Sequence, residues 1–176
     1  MGSIDLRDYI RDVPDFPRPG IVFKDITPLL LDGAALRATV DRLAEDVAGF
    51  EIELVVAAEA RGFVLGGALA GSVGAGFVPA RKPGRLPVEV SSAEYSLEYG
   101  MDALEMHRDA LSGGARVLVH DDLLTTGGTA RALCDLVEGA GAQVVACSFV
   151  MELSFLGGRD RLRPYDVHSL IVYGSP

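Results

Sequence analysis

Short apolar runs recur along this chain, and the intervals between them are long enough to hold a helix. The runs are rich in β-branched and aliphatic residues and contain few polar ones, which is typical of strands buried on both faces of a parallel sheet. They lie at residues 54–58, 77–80, 117–119, 144–151 and 169–173. The pattern therefore predicts that these five segments form the core of a mainly parallel sheet.

Segments with the periodicity of an α-helix lie between these strands. One covers residues 33–48, and another has apolar residues at i, i+3, i+4 and i+7 starting from Leu133. The stretch 62–80 has 19 residues without a charge, but its six glycines and Pro79 favour a helix with small residues followed by a strand, not a membrane span. Strands that alternate with helices from residue 33 onward predict one domain, 1–176, with a doubly wound, mainly parallel α/β sheet.

The first 32 residues do not follow this alternation. Residues 4–12 are expected to form a short amphipathic helix, whereas four prolines between Pro14 and Pro28 exclude a long helix or a central strand. Five apolar residues in this irregular segment need a surface to cover. We interpret residues 1–32 as a hood over a flat ligand, although a packed surface lid would explain the pattern too. The five are Phe16, Ile21, Val22, Phe23 and Ile26.

A second irregular region follows the strand at 77–80. Apolar residues alternate in two runs, 88–90 and 95–99, which predicts a β-hairpin that turns through Ser91 and Ser92 and ends at Gly100. Glycines and prolines on both sides are typical of a mobile flap. We assign residues 82–107 to a flexible loop over the site, with a plain exposed hairpin as the alternative.

Charge and composition narrow the possible partners. The chain has 16 Lys and Arg against 25 Asp and Glu, a formal net charge of −9, which argues against general binding to nucleic acid or to an anionic membrane. A local excess of positive charge between Glu59 and Arg85 indicates an anion site instead. Cys134 and Cys147 have no metal-ligand spacing and are interpreted as buried free thiols. With no apolar signal segment at the N-terminus, a reducing, cytoplasmic location is expected.

The stretch from Arg116 to Thr129 carries the most specific chemical signal. The predicted strand 117–119 is followed at once by Asp121 and Asp122, and then by a turn of small and hydroxyl residues that leads into a helix. Glycines let backbone N–H groups approach an anion, and the N-terminus of the helix favours negative charge at the same place. The members of this phosphate turn are Thr125, Thr126, Gly127, Gly128 and Thr129.

The two aspartates cannot hold the same phosphate, because like charges repel. They suit the hydroxyls of a sugar, or a metal ion, at a distance of one sugar from the phosphate. The stretch therefore predicts a site for a phosphorylated sugar. It is not a nucleoside-triphosphatase P-loop, since no lysine follows the glycines, and it lacks the dinucleotide pattern G-x-G-x-x-G. An ordinary strand-to-helix turn with two solvated aspartates remains the alternative.

A similar turn follows the strand at 54–58. There Glu59, Ala60, Arg61 and Gly62 lead into the next helix, and an arginine beside a glycine suits a planar, bidentate grip on a phosphate. Taken alone, Arg61 is equally well explained as a surface arginine.

Three motifs resemble those of the type I phosphoribosyltransferases, in particular the adenine-specific branch of that family. VLVHDDLLTTGGTA resembles the family's phosphoribosyl-pyrophosphate motif, FPRPGIVFKDITPLL its adenine-binding hood, and SLEYG its catalytic loop. The family usually has a small aliphatic residue at His120, often Ala at Thr125, and commonly Ser at Ala60. The resemblance implies the family's α/β fold with a hood and a flap, and a cis peptide bond near Glu59–Ala60.

The resemblance also implies an activity: adenine and phosphoribosyl pyrophosphate give AMP and pyrophosphate, with Mg²⁺, in a homodimer. It implies that Glu98 acts as the acid/base at the base and that Arg61 acts on the pyrophosphate. The implied binding residues are Asp121 and Asp122 for the ribose and, indirectly, the metal; 125–129 for the 5′-phosphate; Ala60, Arg61, Arg81 and Lys82 for the pyrophosphate, with Arg81 acting across a dimer interface; and Val22, Phe23 and Lys24 for adenine.

Two other functions compete with this interpretation. A phosphoribosyltransferase for hypoxanthine, guanine, xanthine or orotate would share the sugar-phosphate site and differ in the hood. A non-catalytic regulator that senses the sugar phosphate would need a DNA-binding module, for which 176 residues and a net charge of −9 leave no room.

Overall fold

The computed structural model of the chain describes residues 4–96 and 101–176. A 3₁₀ turn at Leu6–Tyr9 precedes the first strand, and another lies at Ser154–Leu156. The strands are β1 (Arg11–Pro14), β2 (Val22–Asp25), β3 (Leu54–Ala58), β4 (Gly76–Ala80), β5 (Val90–Ser96), β6 (Met101–His107), β7 (Arg116–Leu124), β8 (Gln143–Leu153) and β9 (Val167–Tyr173). The helices are α1 (Thr27–Leu31), α2 (Gly33–Asp46), α3 (Arg61–Val73), α4 (Gly128–Gly139) and α5 (Gly158–Arg161).

A five-stranded sheet with the order β4-β3-β7-β8-β9 forms the centre of the molecule, and all of its neighbouring strands are parallel. Leu43 of α2 and Leu65 of α3 are buried in a cluster on one face, and Leu133 of α4 is buried in a cluster with Val119. Helices therefore cover both faces, which confirms the predicted doubly wound α/β sheet. Since the strands are parallel, their carboxyl ends lie at one edge, where sites in such sheets form.

The uncharged stretch 62–80 divides into α3 and β4, as predicted. Gly74 follows the last residue of α3, and its φ of 73° belongs to the left-handed region that favours glycine at this position. No helix within residues 4–96 and 101–176 combines the length and the apolar composition needed to cross a membrane.

The N-terminal hood contains more strand than its sequence indicated. Instead of a helix over 4–12 there is only the 3₁₀ turn, and Arg11–Pro14 pairs antiparallel with β2. The Arg11 guanidinium binds the Asp25 carboxylate at 2.5 and 3.1 Å across this pair. Pro14 is tolerated because an edge strand does not need its missing N–H. The predicted helix was wrong, because Arg11 and Asp12 form ion pairs with residues of β2 instead of lying on the polar face of a helix.

The β-hairpin exists, but its turn is displaced. β5 pairs antiparallel with β6 from Val90↔His107 to Ser96↔Met101, so Ser91 and Ser92 lie inside the first strand. The expected turn at Ser91–Ser92 was therefore wrong: serine occurs in strands as well as in turns, and only the pairing partner decides between them. Residues 97–100 lie outside the described residues.

Strand β7 is longer than its apolar core predicted. It continues to Leu124 because β8 pairs with it as far as Leu124↔Glu152, so Asp121 and Asp122 lie within the strand rather than beyond its end. Neighbouring residues of a strand point to opposite faces, yet both aspartates line one cavity at this end of β7. The helix α5, which precedes the last strand, has only four residues.

The imidazole of His120 is completely buried in the middle of β7. Within the described part of the chain, neither of its ring nitrogens has a partner in hydrogen-bonding geometry. Burial lowers the pKa of His120 to about 4, and the nearby backbone of Ser148 opposes this shift only in part. His120 is therefore neutral in the folded protein at neutral pH.

This burial predicts that the fold loses stability in mild acid. The unfolded chain binds a proton at His120 near pH 6.5 and the native chain only near pH 4, so stability falls as the pH falls between these values. The full loss amounts to roughly 3 kcal/mol for this one group. We expect Tm measured from pH 8 to pH 4 to fall less steeply for His120→Leu than for the wild type. Parallel curves would contradict the prediction.

Candidate active site

The phosphate turn connects the carboxyl end of β7 to α4. Gly127 has a φ of 80° and lies directly before the helix, which begins at Gly128. A cavity of about 70 Å³ is lined by every residue of the turn and by Tyr95 of the hairpin. Backbone N–H groups at the start of a 12-residue helix form a site for an anion. The geometry is compatible with a phosphate in this turn, and its binding there stays a prediction.

The two aspartates have different surroundings. Asp122 is only 4% exposed and forms an ion pair with Arg61, whose Nε lies 2.7 Å from Asp122 Oδ2. Asp121 lies against α3 so closely that a Cβ at Gly62 would be 2.8 Å from Asp121 Oδ1. Burial and the neighbouring Asp122 carboxylate raise the pKa of Asp121 well above its usual range, although the Asp122 N–H and Arg61 oppose this.

Arg61 connects two parts of the site. It begins α3 directly after the turn that follows β3, and the expected cis peptide bond is present between Glu59 and Ala60. Its guanidinium lies over the Phe23 ring, with Cζ 5.2 Å from the ring centroid, while its Nε contacts Asp122. One arginine thus touches both the hood and the acidic pair.

A second cavity, of about 380 Å³, opens between the turn after β3 and the hairpin. Its wall includes Glu59, Ala60 and Arg61, together with Lys82, Asp121, Asp122 and the phosphate-turn residue Thr129. The Lys82 ammonium contacts Asp102 of β6 at 2.8 Å, and this hydrogen bond raises the pKa of Lys82. Lys82 and Arg61 are the cations in this wall, but three carboxylates line it too, so an anionic group suits the cavity only if it contacts these cations or brings a metal ion.

Glu59 organises the basic turn beside this cavity. Its carboxylate accepts the Lys82 backbone N–H at 2.6 Å and pairs with Arg81 Nη2 at 3.3 Å. The Lys82 N–H, chiefly, lowers the pKa of Glu59, although burial opposes this. Arg81 faces Glu59 and the carbonyl of Arg85 rather than the cavity, so its predicted contact with pyrophosphate stays a prediction.

The third cavity, of about 530 Å³, lies beneath the hood. Its walls are mainly apolar and include the three residues predicted for the base, Val22, Phe23 and Lys24. The Lys24 side chain is buried, with Nζ 2.8 Å from an Asp12 carboxylate oxygen and 4.5 Å from the Tyr173 ring centroid. Phe16 packs edge-on against Phe23 at 5.2 Å. These contacts hold the Phe23 ring in the cavity wall.

The three cavities share walls and form one continuous site. Tyr95 and Thr129 line both the first and the second, and Leu123, Thr125 and Thr126 line both the first and the third. A ligand can thus place a flat apolar group under the hood, one phosphate in the turn, and a second anionic group beside Arg61 and Lys82.

Sequence reasoning missed several residues of this site. Tyr95 was read only as part of a hairpin, and Asp102 was not singled out, because the cross-strand pairing that brings them to Lys82 is not visible in the sequence. Three leucines in the wall of the cavity beneath the hood were also missed, because apolar residues of a binding site cannot be told from core residues in a sequence. They are Leu123, Leu153 and Leu156. Glu98, the predicted acid/base, lies outside the described residues.

Carboxylates near an anion site raise the question of a metal ion. Within residues 4–96 and 101–176, no cluster of three or more His, Cys, Asp or Glu side chains could hold a metal ion by itself. Asp121 and Asp122 still line the cavity for the anionic group, and carboxylates are ligands that Mg²⁺ accepts together with phosphates and water. The donor set therefore fits a Mg²⁺ ion bound jointly with a phosphorylated ligand.

Comparison with known proteins gives consistent matches. The phosphoribosyl transferase domain family matches residues 29–171. An adenine phosphoribosyltransferase of Rubrobacter xylanophilus is 58% identical over 172 residues, which cover 97% of this chain and 93% of the relative.

Solved structures agree with the sequence matches. The adenine phosphoribosyltransferase of Thermoanaerobacter pseudethanolicus superposes with a TM-score of 0.94 at 50% identity, covering 96% of this chain and 98% of that one. The enzyme of Saccharomyces cerevisiae, complexed with an imino-altritol bisphosphate and adenine, superposes with a TM-score of 0.88 at 38% identity, covering 94% and 96%.

Proposed function

Because this chain belongs to the phosphoribosyltransferase family, we infer that the continuous site described above is its active site. The chain converts adenine and 5-phospho-α-D-ribose 1-diphosphate to AMP and diphosphate, a reaction of purine salvage. The observation that carries this conclusion is that three cavities join. The phosphate turn lies between the cavity beneath the hood, here called the base cavity, and the cavity beside Arg61 and Lys82, here called the anion cavity. The enzyme is a pentosyltransferase.

The 5′-phosphate binds in the phosphate turn. The start of α4 presents its backbone N–H groups there, and the hydroxyls of Thr125, Thr126 and Thr129 add donors. Asp121 and Asp122 lie on β7 shortly before the phosphate turn, and their carboxylates hold the ribose hydroxyls. This arrangement fixes C1 of the ribose between the cavity beneath the hood and the cavity beside Arg61 and Lys82. The reacting groups are then already in the geometry that the reaction needs, which lowers the entropic part of the barrier.

The pyrophosphate leaves into the cavity beside Arg61 and Lys82. As the C1–O bond breaks, negative charge grows on the departing group, and prearranged cations stabilise it most at that moment. Arg61 offers a planar guanidinium and Lys82 a compact ammonium. Asp121 and Asp122 would hold a Mg²⁺ ion indirectly, through the substrate or water, and that ion would supply additional charge neutralisation. Arg81 acts from the dimer interface in this proposal.

Adenine binds beneath the hood against Phe23. The ring offers a flat apolar face, and the backbone at Val22 and Lys24 reads the edge of the base. A 6-oxo purine presents an acceptor where adenine presents an amine donor, so the wrong base leaves buried groups unpaired. Glu98 moves the proton on the imidazole ring of the base.

A base panel tests this function directly. We expect the purified chain, given phosphoribosyl pyrophosphate and Mg²⁺, to turn over adenine and to leave hypoxanthine, guanine, xanthine and orotate nearly untouched. A site built to hydrogen-bond one edge rejects the wrong partner by about 10⁴-fold or more. Preference for a 6-oxo purine would preserve the phosphate site and overturn the assignment of the hood. Binding of the sugar phosphate without turnover of any base would favour a regulator.

A further inference from the structure

The phosphate turn rests against a second backbone segment that the reaction does not use directly. Gly158, the first residue of α5, lies so close that a Cβ there would be 2.2 Å from the Thr125 carbonyl oxygen and 3.0 Å from the Gly127 nitrogen. In the opposite direction, a Cβ at Gly127 would be 2.7 Å from the Gly158 carbonyl oxygen. The two segments therefore touch through their main chains, and neither can shift without moving the other.

An ion pair between the half-exposed Arg159 and the buried Glu152 anchors this second segment to the sheet. Arg159 Nε and Nη2 lie 3.1 and 2.5 Å from the two carboxylate oxygens of Glu152, at the end of β8. Arg159 Nη1 also donates to the Val167 carbonyl at 2.6 Å, and Ser169 Oγ donates to Glu152 at 2.7 Å.

The electrostatics of this anchor favour the ion pair. The Glu152 side chain is only 3% exposed. Burial opposes its charge, but the hydrogen bonds from Arg159 and Ser169 prevail and lower the pKa of Glu152. The planar guanidinium of Arg159 donates two hydrogen bonds to the Glu152 carboxylate, so both the position and the orientation of Arg159 are fixed.

The same short helix reaches the base cavity. Arg161, three residues after Gly158, lines that cavity together with Phe23 and Thr126. Its Cβ would also lie 3.3 Å from a Cβ at Gly127. One element of four residues, fixed to β8 by Arg159, thus touches both the phosphate turn and the wall of the base cavity.

We propose that residues 157–161 form a brace that fixes the phosphate turn at the correct place for the 5′-phosphate, with Gly158 as its contact and the Glu152–Arg159 pair as its anchor. This inference rests on the proposed function of the turn. Glu152, Gly158 and Arg159 are positioning residues, because they act through the backbone of the turn and not on the substrate. A small displacement of a binding group is enough to weaken binding markedly.

Gly158→Ala tests the contact. The added methyl must push the Thr125 carbonyl away, so we expect KM for phosphoribosyl pyrophosphate to rise about tenfold or more while kcat at saturation changes little, the signature of lost binding shared by ground and transition states. Calorimetric binding of ribose 5-phosphate should weaken by a similar factor. Gly139→Ala is the control, since a Cβ at that helical glycine meets nothing within 4 Å.

Glu152→Gln tests the anchor independently, in case Gly158→Ala does not fold. It keeps the shape of the side chain and removes the charge that holds Arg159, so the same rise in KM and the same weaker binding of ribose 5-phosphate are expected. Asp160→Asn is the matched control, because the Asp160–Arg163 pair lies on the same segment but is 76% and 81% exposed.

The outcomes separate the brace from a merely structural role. A lower Tm with unchanged KM and unchanged ribose 5-phosphate binding in both test variants would overturn the brace, as would equal effects in the control variants. If the wild type binds ribose 5-phosphate but turns over no adenine, the proposed function fails. The brace is still tested in that case, by comparing the binding of ribose 5-phosphate to the test variants and to the wild type.

Discussion

Replacing Arg61 by alanine is expected to lower kcat/KM for phosphoribosyl pyrophosphate by about 10²–10³-fold, the usual loss when one prearranged donor to a developing charge is removed. Arg61 is the guanidinium in the wall of the anion cavity, and its Nε lies 2.7 Å from Asp122. The substitution therefore removes a cation from the leaving pyrophosphate and also leaves the buried Asp122 carboxylate without its ion pair. Steady-state kinetics with adenine at saturation measures the effect.

Arg61→Lys separates charge from geometry. Lysine keeps the positive charge but loses the planar fork, so it should recover only part of the activity. A compact ammonium also covers less of the Phe23 ring than the guanidinium that now lies 5.2 Å from it. Near wild-type kinetics for Arg61→Ala would show that the pyrophosphate does not use this arginine, and would remove the main cation from the proposed mechanism.

Glu98→Gln is expected to lower kcat by about 10²-fold or more while KM for adenine changes little, as for the loss of a positioned general acid/base. Glutamine keeps the size of the side chain and its capacity for hydrogen bonding but cannot transfer the proton of the imidazole ring of the base. A pre-steady-state measurement of AMP formation isolates this chemical step from product release.

Glu94→Gln is the matched control for this substitution. Glu94 is an exposed glutamate on β5 of the same hairpin, opposite Ala103, so its loss alters the charge of the flap without touching the cavities that the structure describes. Turnover near the wild-type rate in Glu98→Gln would refute the acid/base role. Equal losses in both variants would indicate that the flap responds to charge in general.

Several residues predicted for the site lie close together in the fold because their arrangement depends on local sequence. The turn 125–129 follows one strand and begins one helix, so its small residues and hydroxyls had to lie together wherever the strand went. The same holds for Glu59, Ala60 and Arg61. By contrast, the hairpin turn was misplaced, since Ser91 and Ser92 suit either a strand or a turn and only pairing with β6 decides between them.

The order of apolar runs and helical periods by itself determined the α/β class and the positions of the principal strands, and it predicted the turn 125–129 before a helix. These features follow from the alternation of polar and apolar residues and from glycine and proline at fixed positions, which act over a few residues. The buried neutral state of His120 could not be read in this way, because its surroundings come from β3, α3 and β8.

Only the tertiary structure decided which distant residues complete the site. It extended β7 through Asp121 and Asp122 by pairing with β8, placed the Arg61 guanidinium between Asp122 and Phe23, and set Gly158 against Thr125. Each of these contacts joins segments separated by more than 25 residues, and such separations leave no periodic trace in a sequence. They arise because parallel strands bring their carboxyl ends to one edge of the sheet.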